Sequence, residues 1–405
     1  MRSGLNLDYG LYRVGGYLLR YTFYIFPKKR MPSLKRFLLN ILRRIDNAID
    51  ALKFKMVKAS GRGRKYPIKI ATYRGFGSHH SIFLQGRVLV RKSYRKEEEK
   101  SRLDYILNTY NRFESDEVPN ARLRITVGDN SYEVSTDQEG YFTLDQRLHI
   151  PLPVLDDPWY PVDIKLLETP WRKMDLTTTT SVLIPPRHAK VGIITDIDDT
   201  ILHTGVTSPL KWRVIYNTFF KSASRRKVFD EAAAFFRALQ QGADEQQYNP
   251  VFYVSNSPHN LYEMIKKFLK INHLPKGPVL LRDIGIPYRL HPLGYQGHKA
   301  GSITRILQTF PDIPFILVGD SGEKDAYIYH EIAHDYPERI AVIYIRDVRS
   351  PRRVRKIRRF MEDLDTITLE IFKAYHEAAQ LAARDKLLSY QQFAEIRLAL
   401  KEKKK

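Results

Sequence analysis

The chain is predicted to be an α/β protein, with a parallel sheet towards its carboxyl end, an antiparallel β-sandwich before it, and basic helical segments at both ends. Three observations lead there. Apolar residues near the amino terminus fall at helical spacing, those in the middle alternate with polar ones, and those beyond Lys190 form short continuous runs separated by amphipathic stretches. Continuous apolar strands divided by helices signal a parallel sheet covered on both faces.

Residues 1–65 read as a basic amphipathic helical segment. This stretch holds sixteen Lys or Arg against Asp8, Asp46 and Asp50. Leu34, Phe37, Leu38, Ile41, Leu42, Ile45, Ala48, Ile49 and Leu52 share one helical face, and Lys35, Arg36, Arg43 and Arg44 lie on the other. Ser33, after Pro32, is placed to cap that helix. Residues 66–186 read as the sandwich, of immunoglobulin or prealbumin type. Leu123 to Val127 and Tyr132 to Ser135 alternate across a turn at Gly128 to Asn130. Ile82 to Val90, Tyr141 to Leu144 and Val162 to Leu167 supply further strands, and Pro185-Pro186 marks the boundary.

Residues 187–350 read as the parallel-sheet unit. Its strands are Val191 to Thr195, Val251 to Val254, Val279 to Leu281, Pro314 to Val318 and Ile340 to Ile345. Its helices are Phe229 to Gln241, Asn260 to Ile271, Lys299 to Phe310 and Ala326 to Tyr336. Residues 351–405 read as basic C-terminal helices.

At 405 residues with 43% hydrophobic composition, the chain can bury more than one core. Its formal net charge of +22 points to an anionic polymer, membrane or substrate as partner, and says nothing about fold. The absence of cysteine excludes a disulfide framework, thiol catalysis and thiolate metal sites. The apolar stretch Val14 to Phe26 is broken by Arg20, too short to span a bilayer, and followed by no small-residue cleavage site. A soluble or peripheral protein is the expectation.

Chemistry in an open parallel sheet belongs at the carboxyl ends of the strands. The first strand ends in Asp196-Ile-Asp-Asp-Thr200. Asp196 and Asp198 can face one site, the first holding Mg²⁺ and attacking phosphorus, the second passing a proton to the leaving oxygen. The competing reading is an acidic loop that caps a helix. The second strand ends in Ser255-Asn-Ser-Pro258, whose hydroxyl and N–H groups before a helix suit a phosphate oxygen, although an ordinary N-cap has the same composition. Lys299 opens a helix, where its charge opposes the macrodipole unless an anion balances it; a plain surface lysine is the alternative. The fourth strand ends in Gly319-Asp320, with Asp325 five residues on; each of these acids can hold Mg²⁺ directly or through water. The four signals in this order point jointly to phosphoryl transfer.

These residues resemble the haloacid dehalogenase superfamily of phosphohydrolases, whose motifs are Asp-x-Asp-x-Thr, a Ser or Thr, a Lys, and Gly-Asp with a following acid. More narrowly, Asp196 to Ile201 with His203 to Val206, Tyr253 to Pro258, Leu281 to Asp283, His298-Lys299, Phe315 to Gly322 and Ile343 to Val348 resemble the actin-patch-protein type of phosphatidate phosphatases, relatives of lipins. The resemblance covers Val191 to Val348 and implies a haloacid-dehalogenase-like fold and Mg²⁺-dependent hydrolysis of phosphatidate to diacylglycerol. It implies Asp196 as nucleophile and Asp198 as general acid/base. Ser255, Asn256 and Lys299 would bind the phosphoryl group, and Asp196, Asp198, Asp320 and Asp325 would form the metal set. The lipin form of the first motif has Gly where this chain has Asp199, whose role the resemblance leaves open.

A lipid substrate also draws support from the residues. Neither the stretch from Thr200 to Ser255 nor that from Ser255 to Lys299 is large enough for a full cap, so the site is expected to be open. Leu210 to Tyr216, Phe219-Phe220 and the cations Lys221, Arg225, Arg226 and Lys227 mix aromatic and basic character, which suits an anionic membrane interface or equally a helix packed on its own core. The basic runs Arg352 to Arg359 and Lys401 to Lys405 suit lipid headgroups or plain solvation. The expected setting is cytoplasmic and peripheral to a membrane, with phosphatidate or a related anionic phospholipid as partner. No nucleic-acid motif is present. The alternatives are a phosphatase for a soluble phosphomonoester and a non-catalytic phosphatidate-binding protein; the presence of Asp196, Asp198 and Asp320 counts against the second.

Overall fold

The computed structural model describes residues 11–14, 17–20, 67–90, 117–197, 223–282, 297–322, 324–348, 351–360 and 367–402. The predicted helix from Leu34 to Leu52, the aromatic and basic stretch from Leu210 to Lys221, and Asp198 and Asp199 lie outside these residues.

Residues 1–63 and 64–405 are two separate compact units. In the first, β1 (Leu11–Val14) and β2 (Tyr17–Arg20) pair as an antiparallel hairpin.

The second unit opens with an eight-stranded sheet, made of β3 (Ile68–Thr72), β4 (Gly75–Ser78), β5 (Ser81–Val90), β6 (Arg122–Val127), β7 (Asn130–Ser135), β8 (Tyr141–Arg147), β9 (Trp159–Thr169) and β10 (Arg172–Leu183). Along β5 exposure alternates residue by residue, because successive side chains of a strand point to opposite faces. Leu84, Val88, Leu123, Ile125, Val162, Ile164 and Leu166 are fully buried and form this sheet's core. The hairpin predicted at Gly128 is present: β6 and β7 pair Val127 with Asn130, and Gly128 takes φ +50°, which a side chain would strain. The arrangement differs from the predicted antiparallel sandwich in two respects. The strands are joined in one hydrogen-bonded sheet, because the long β5 bonds to β3, β4 and also to β8, which lies off the path of the other seven; and β4 pairs with β10 in parallel.

The parallel sheet has six strands in the order β13-β12-β11-β14-β15-β16. They are β11 (Gly192–Asp196), β12 (Val251–Pro258), β13 (Val279–Arg282), β14 (Phe315–Asp320), β15 (Ile340–Arg346) and β16 (Thr368–Phe372). Every residue of β11 and β14 is buried, as expected of strands covered on both faces. The helices are α1 (Ala223–Gln241), α2 (Tyr262–Ile271), α3 (His298–Thr309), α4 (Asp325–Asp335), α5 (Pro351–Phe360), α6 (Tyr375–Arg384) and α7 (Tyr390–Glu402). The buried side chains of α1, α2 and α6 share one core cluster, and those of α3, α4 and α5 share the other. The two clusters lie on opposite faces of the sheet, since β14 sends Ile316 and Val318 to the first and Phe315 and Leu317 to the second.

The sheet does not end at residue 350, where the predicted unit stopped. The stretch expected to form only basic helices also supplies β16, which pairs with β15 in parallel. Only Phe372 of β16 is fully buried, so an edge strand of this kind carries little of the apolar run that marks its neighbours.

Both sheets belong to the one compact unit and meet through aromatic rings. Phe76 packs edge-on to Phe252 with ring centroids 5.5 Å apart, and Trp159 donates its indole N–H to the Tyr248 hydroxyl at 2.9 Å. Tyr73 stacks on His259 at 4.8 Å.

Candidate active site

The carboxyl edge of the parallel sheet gathers most of the predicted residues. Asp196 is the last residue of β11 and Asp320 the last of β14, the strand paired with it. Asp325 opens α4, and Lys299 is the second residue of α3. All four are buried, Asp320 and Asp325 completely.

Lys299 binds the group together. Its ammonium lies 2.8 Å from Asp196 Oδ1 and donates to Asp325 Oδ1 at 2.7 Å. A buried ammonium is tolerated when opposite charges surround it this closely. The early-helix position that looked unfavourable in the sequence is thus offset by two carboxylates. Asp325 in turn accepts the backbone N–H of Asp320 on its other oxygen at 3.3 Å. Asp320 accepts a short bond from the N–H of Gly322.

Gly319 makes this arrangement possible. A Cβ at Gly319 would lie 2.9 Å from Asp325 Oδ2 and 2.7 Å from a ring carbon of Tyr329, closer than packed carbons allow. The Gly-Asp pair at the end of β14 is therefore a packing requirement as well as a motif. Tyr329 donates its hydroxyl to Val318 O at 3.0 Å, and burial, with Asp325 nearby, pushes its ionisation well above the usual tyrosine range.

Ser255 lies on β12, one residue beyond Val254, which is in register with Asp196. It is fully buried and its Oγ accepts the backbone N–H of Ser257 at 2.9 Å; Asn256 is half-buried. The sequence predicted a helix from Asn260, shortly beyond Pro258. Instead β12 runs to Pro258, a short 3₁₀ turn covers His259–Leu261, and α2 begins at Tyr262. The ring hydroxyl of Tyr262 accepts the backbone N–H of Arg74 at 2.7 Å, which ties the first residue of this helix to the segment between β3 and β4.

The structure also brings in residues to which the sequence assigned no role. Arg346, the last residue of β15, is in register with Asp320 and buried. Its guanidinium carbon sits 5.3 Å from the centroid of Tyr375, whose ionisation burial pushes up. Ser321 is fully buried, donates its N–H to Arg346 O at 2.9 Å, and accepts the N–H of Val348 on its hydroxyl at 3.1 Å. An arginine closing an apolar strand at the edge where acids close its neighbours was the available signal. Next to Lys299, His298 bonds Leu280 O through Nε2 at 3.1 Å, and burial lowers its pKa to about 4.

The donor set fits a hard divalent cation. Asp196, Asp320 and Asp325 each offer a carboxylate oxygen, these atoms lie within 4.8 Å of one another, and all three residues are buried. Mg²⁺ takes oxygen ligands of this kind and keeps several waters, so three carboxylates suffice.

Residues 191–347 match the family model of the catalytic domain of phosphatidate phosphatase APP1. The resemblance to phosphatidate phosphatases of the actin-patch-protein type is borne out on this stretch. Phosphatidate phosphatase APP1 of Saccharomyces cerevisiae is 37% identical over 157 residues, which are 38% of this chain and 26% of that protein. An uncharacterized protein of Schizosaccharomyces pombe is 29% identical over 223 residues, 54% of this chain and 35% of the relative. The matches thus span from about a quarter to just over a third of these relatives' length. Among solved structures, a carbohydrate acetylesterase from Xanthomonas citri aligns over 79% of this chain and 75% of its own, at 9% identity and a TM-score of 0.28, too slight a likeness to carry an argument. Asp196, Ser255, Asn256, Lys299, Asp320 and Asp325 all fall inside the APP1-like stretch. No helix among the described residues is long and apolar enough to cross a membrane.

Proposed function

We propose that this chain hydrolyses phosphatidate to diacylglycerol and phosphate, in a haloacid-dehalogenase-like unit that works at a cytoplasmic membrane surface without spanning it. The observation that carries the reading is the coincidence of the buried Asp196–Lys299–Asp325–Asp320 cluster with the stretch that matches the APP1 catalytic domain.

In this reading Asp196 attacks phosphorus, the bond from phosphorus to the glycerol oxygen breaks, and Asp198 gives that oxygen its proton. Water, deprotonated by Asp198, then attacks the phosphoryl-aspartate, which restores the Asp196 carboxylate and releases phosphate. Lys299 holds Asp196 in place and offers its charge to the phosphoryl oxygens, and Ser255 with Asn256 lines their approach. Asp196, Asp198, Asp320 and Asp325 are the residues that would hold Mg²⁺. When bound, Mg²⁺ would supply charge stabilisation for the phosphoryl oxygens.

A phosphate-release panel tests the proposal, with phosphatidate in mixed micelles beside soluble phosphomonoesters, each with Mg²⁺ and with a chelator. Release from phosphatidate that needs Mg²⁺ is the expected outcome. Preference for sugar phosphates over phosphatidate would overturn the substrate, and full activity in the chelator would overturn the metal set.

A further inference from the structure

Helix α5 follows directly from the site. β15 ends at Arg346, Asp347 donates its N–H to Phe372 O at 2.7 Å, and Val348 is tied to Ser321, the neighbour of Asp320. The helix starts three residues later, so its amino-terminal end lies by the carboxyl edge of the sheet. Its sequence from Pro351 to Phe360 holds six Lys or Arg and no acid.

The helix divides into two faces. Ile357 is buried at 1% exposure in the core it shares with α3 and α4, and Phe360 packs on Tyr327 at 4.8 Å and on His330 at 4.4 Å. Arg352, Arg355, Lys356 and Arg359 are exposed, and the spacing i, i+3, i+4, i+7 places them on one stripe, opposite Ile357.

This stripe is unfavourable to the isolated helix in two ways. Like charges three or four residues apart destabilise a helix, and the four cations make such pairs throughout. Arg352 also stands in the first turn, where the macrodipole favours negative charge, and that turn has no acidic residue. An anionic surface would offset both effects. A plane of lipid headgroups fits a single straight stripe of about 10 Å, whereas nucleic-acid readers add aromatic platforms or base-reading groups that this face lacks.

We propose that α5 is the surface through which this chain docks on an anionic lipid bilayer, bringing the carboxyl edge of the parallel sheet to the headgroups. The inference rests on the proposed bilayer-borne substrate, yet it can be tested without that substrate. The probe is co-sedimentation of the full chain with vesicles of phosphatidylcholine alone or with added phosphatidylserine, free of phosphatidate. Three variants accompany the parent. One carries Arg352→Glu, Arg355→Glu, Lys356→Glu and Arg359→Glu, and a second carries Gln at the same positions. The third is a charge-matched control with Arg122→Glu, Arg124→Glu, Lys173→Glu and Lys267→Glu, all exposed positions on other elements.

The parent should prefer the anionic vesicles, and the Glu variant should lose at least about tenfold in partitioning to them. The Gln variant should lose less, and the control should stay near the parent. Equal losses in stripe and control variants would overturn the proposal, since bulk charge would then be the cause. So would undiminished vesicle binding by both stripe variants, or a parent chain that binds duplex RNA through this stripe and ignores the vesicles. Failure to hydrolyse phosphatidate alongside stripe-dependent vesicle binding would sink the proposed substrate and leave this surface standing.

Discussion

The two sheets of the larger unit bury polar residues for different purposes. In the eight-stranded sheet the buried polar groups are Asn130, Thr136 and Thr169, and main-chain atoms satisfy them. Asn130 donates to Val127 O and Ile150 O and accepts from Ile150 N; Thr136 donates to Val118 O and accepts from Ala121 N. These bonds tie loops to strands. At the carboxyl edge of the parallel sheet the buried polar groups include charged ones that face one another, with Lys299 between Asp196 and Asp325, and Asp320 beside them. Burying charge is expensive and a fold does not need it. The contrast favours the reading of one sheet as support and the edge of the other as the proposed place of chemistry.

Five measurements would break or sharpen that contrast. Asp196→Asn should lower phosphate release by at least about a thousandfold while circular dichroism and cooperative unfolding stay native; retained activity would remove the nucleophile from the scheme. Lys299→Met, which leaves two buried carboxylates without their shared ammonium, should cost about 3–5 kcal/mol of stability in a chelator. Denaturant unfolding with added Mg²⁺ should recover part of that loss, because a ligand that binds only the folded state stabilises it. Leu84→Ala, in the core of the supporting sheet, should cost about 2–5 kcal/mol, yet leave turnover per folded molecule unchanged.

Acid is the fourth test. His259 and His298 are buried, and burial first of all lowers their pKa values to about 3 and about 4, from 6.5. Their folded forms stay neutral where the unfolded chain takes up protons. Stability from each is therefore complete above pH 6.5 and lost as pH falls towards the folded value, on the order of 3 kcal/mol per group by pH 4. Urea midpoints between pH 7 and pH 4 check this, and a flat profile in His259→Phe with His298→Phe would attribute the slope to these rings. The smallest effect is expected at the surface, where Arg122 pairs with Glu168 at 3.0 Å with both side chains about half exposed. Arg122→Ala should change stability by less than about 1 kcal/mol.

Legibility in the sequence followed burial pattern. β11, β12, β14 and β15 read clearly because strands buried on both faces become continuous apolar runs, and β5 read clearly because one wet face imposes alternation. β10 was missed because most of its length is half-exposed or exposed on both faces, so residues such as Lys173, Asp175 and Thr177 to Thr180 show no apolar period. β16 was missed for the same reason at the sheet edge. Among the site residues, those written into strand ends were visible, whereas Ser321 and Arg346 lay inside the family-like segments Phe315 to Gly322 and Ile343 to Val348 without a role that their residue types alone suggested.

Local periodicity and the order of acids at strand ends are properties of neighbours along the chain, so the sequence by itself determined the strand–helix alternation, the edge on which Asp196, Lys299, Asp320 and Asp325 would lie, and the likeness those motifs carry. Which of them touch is a matter of distance in space. Asp196 and Lys299 stand far apart in the chain, and only the packing of α3 and α4 beside β11 and β14, with Gly319 leaving room for Asp325, brings one ammonium between two carboxylates. The tertiary structure likewise decided that residues beyond 350 add an edge strand and that α5 turns one face to the core and a row of cations outward. Burial of Ile357 forces that orientation, and a pattern of charges along ten residues cannot show by itself which side the core will take.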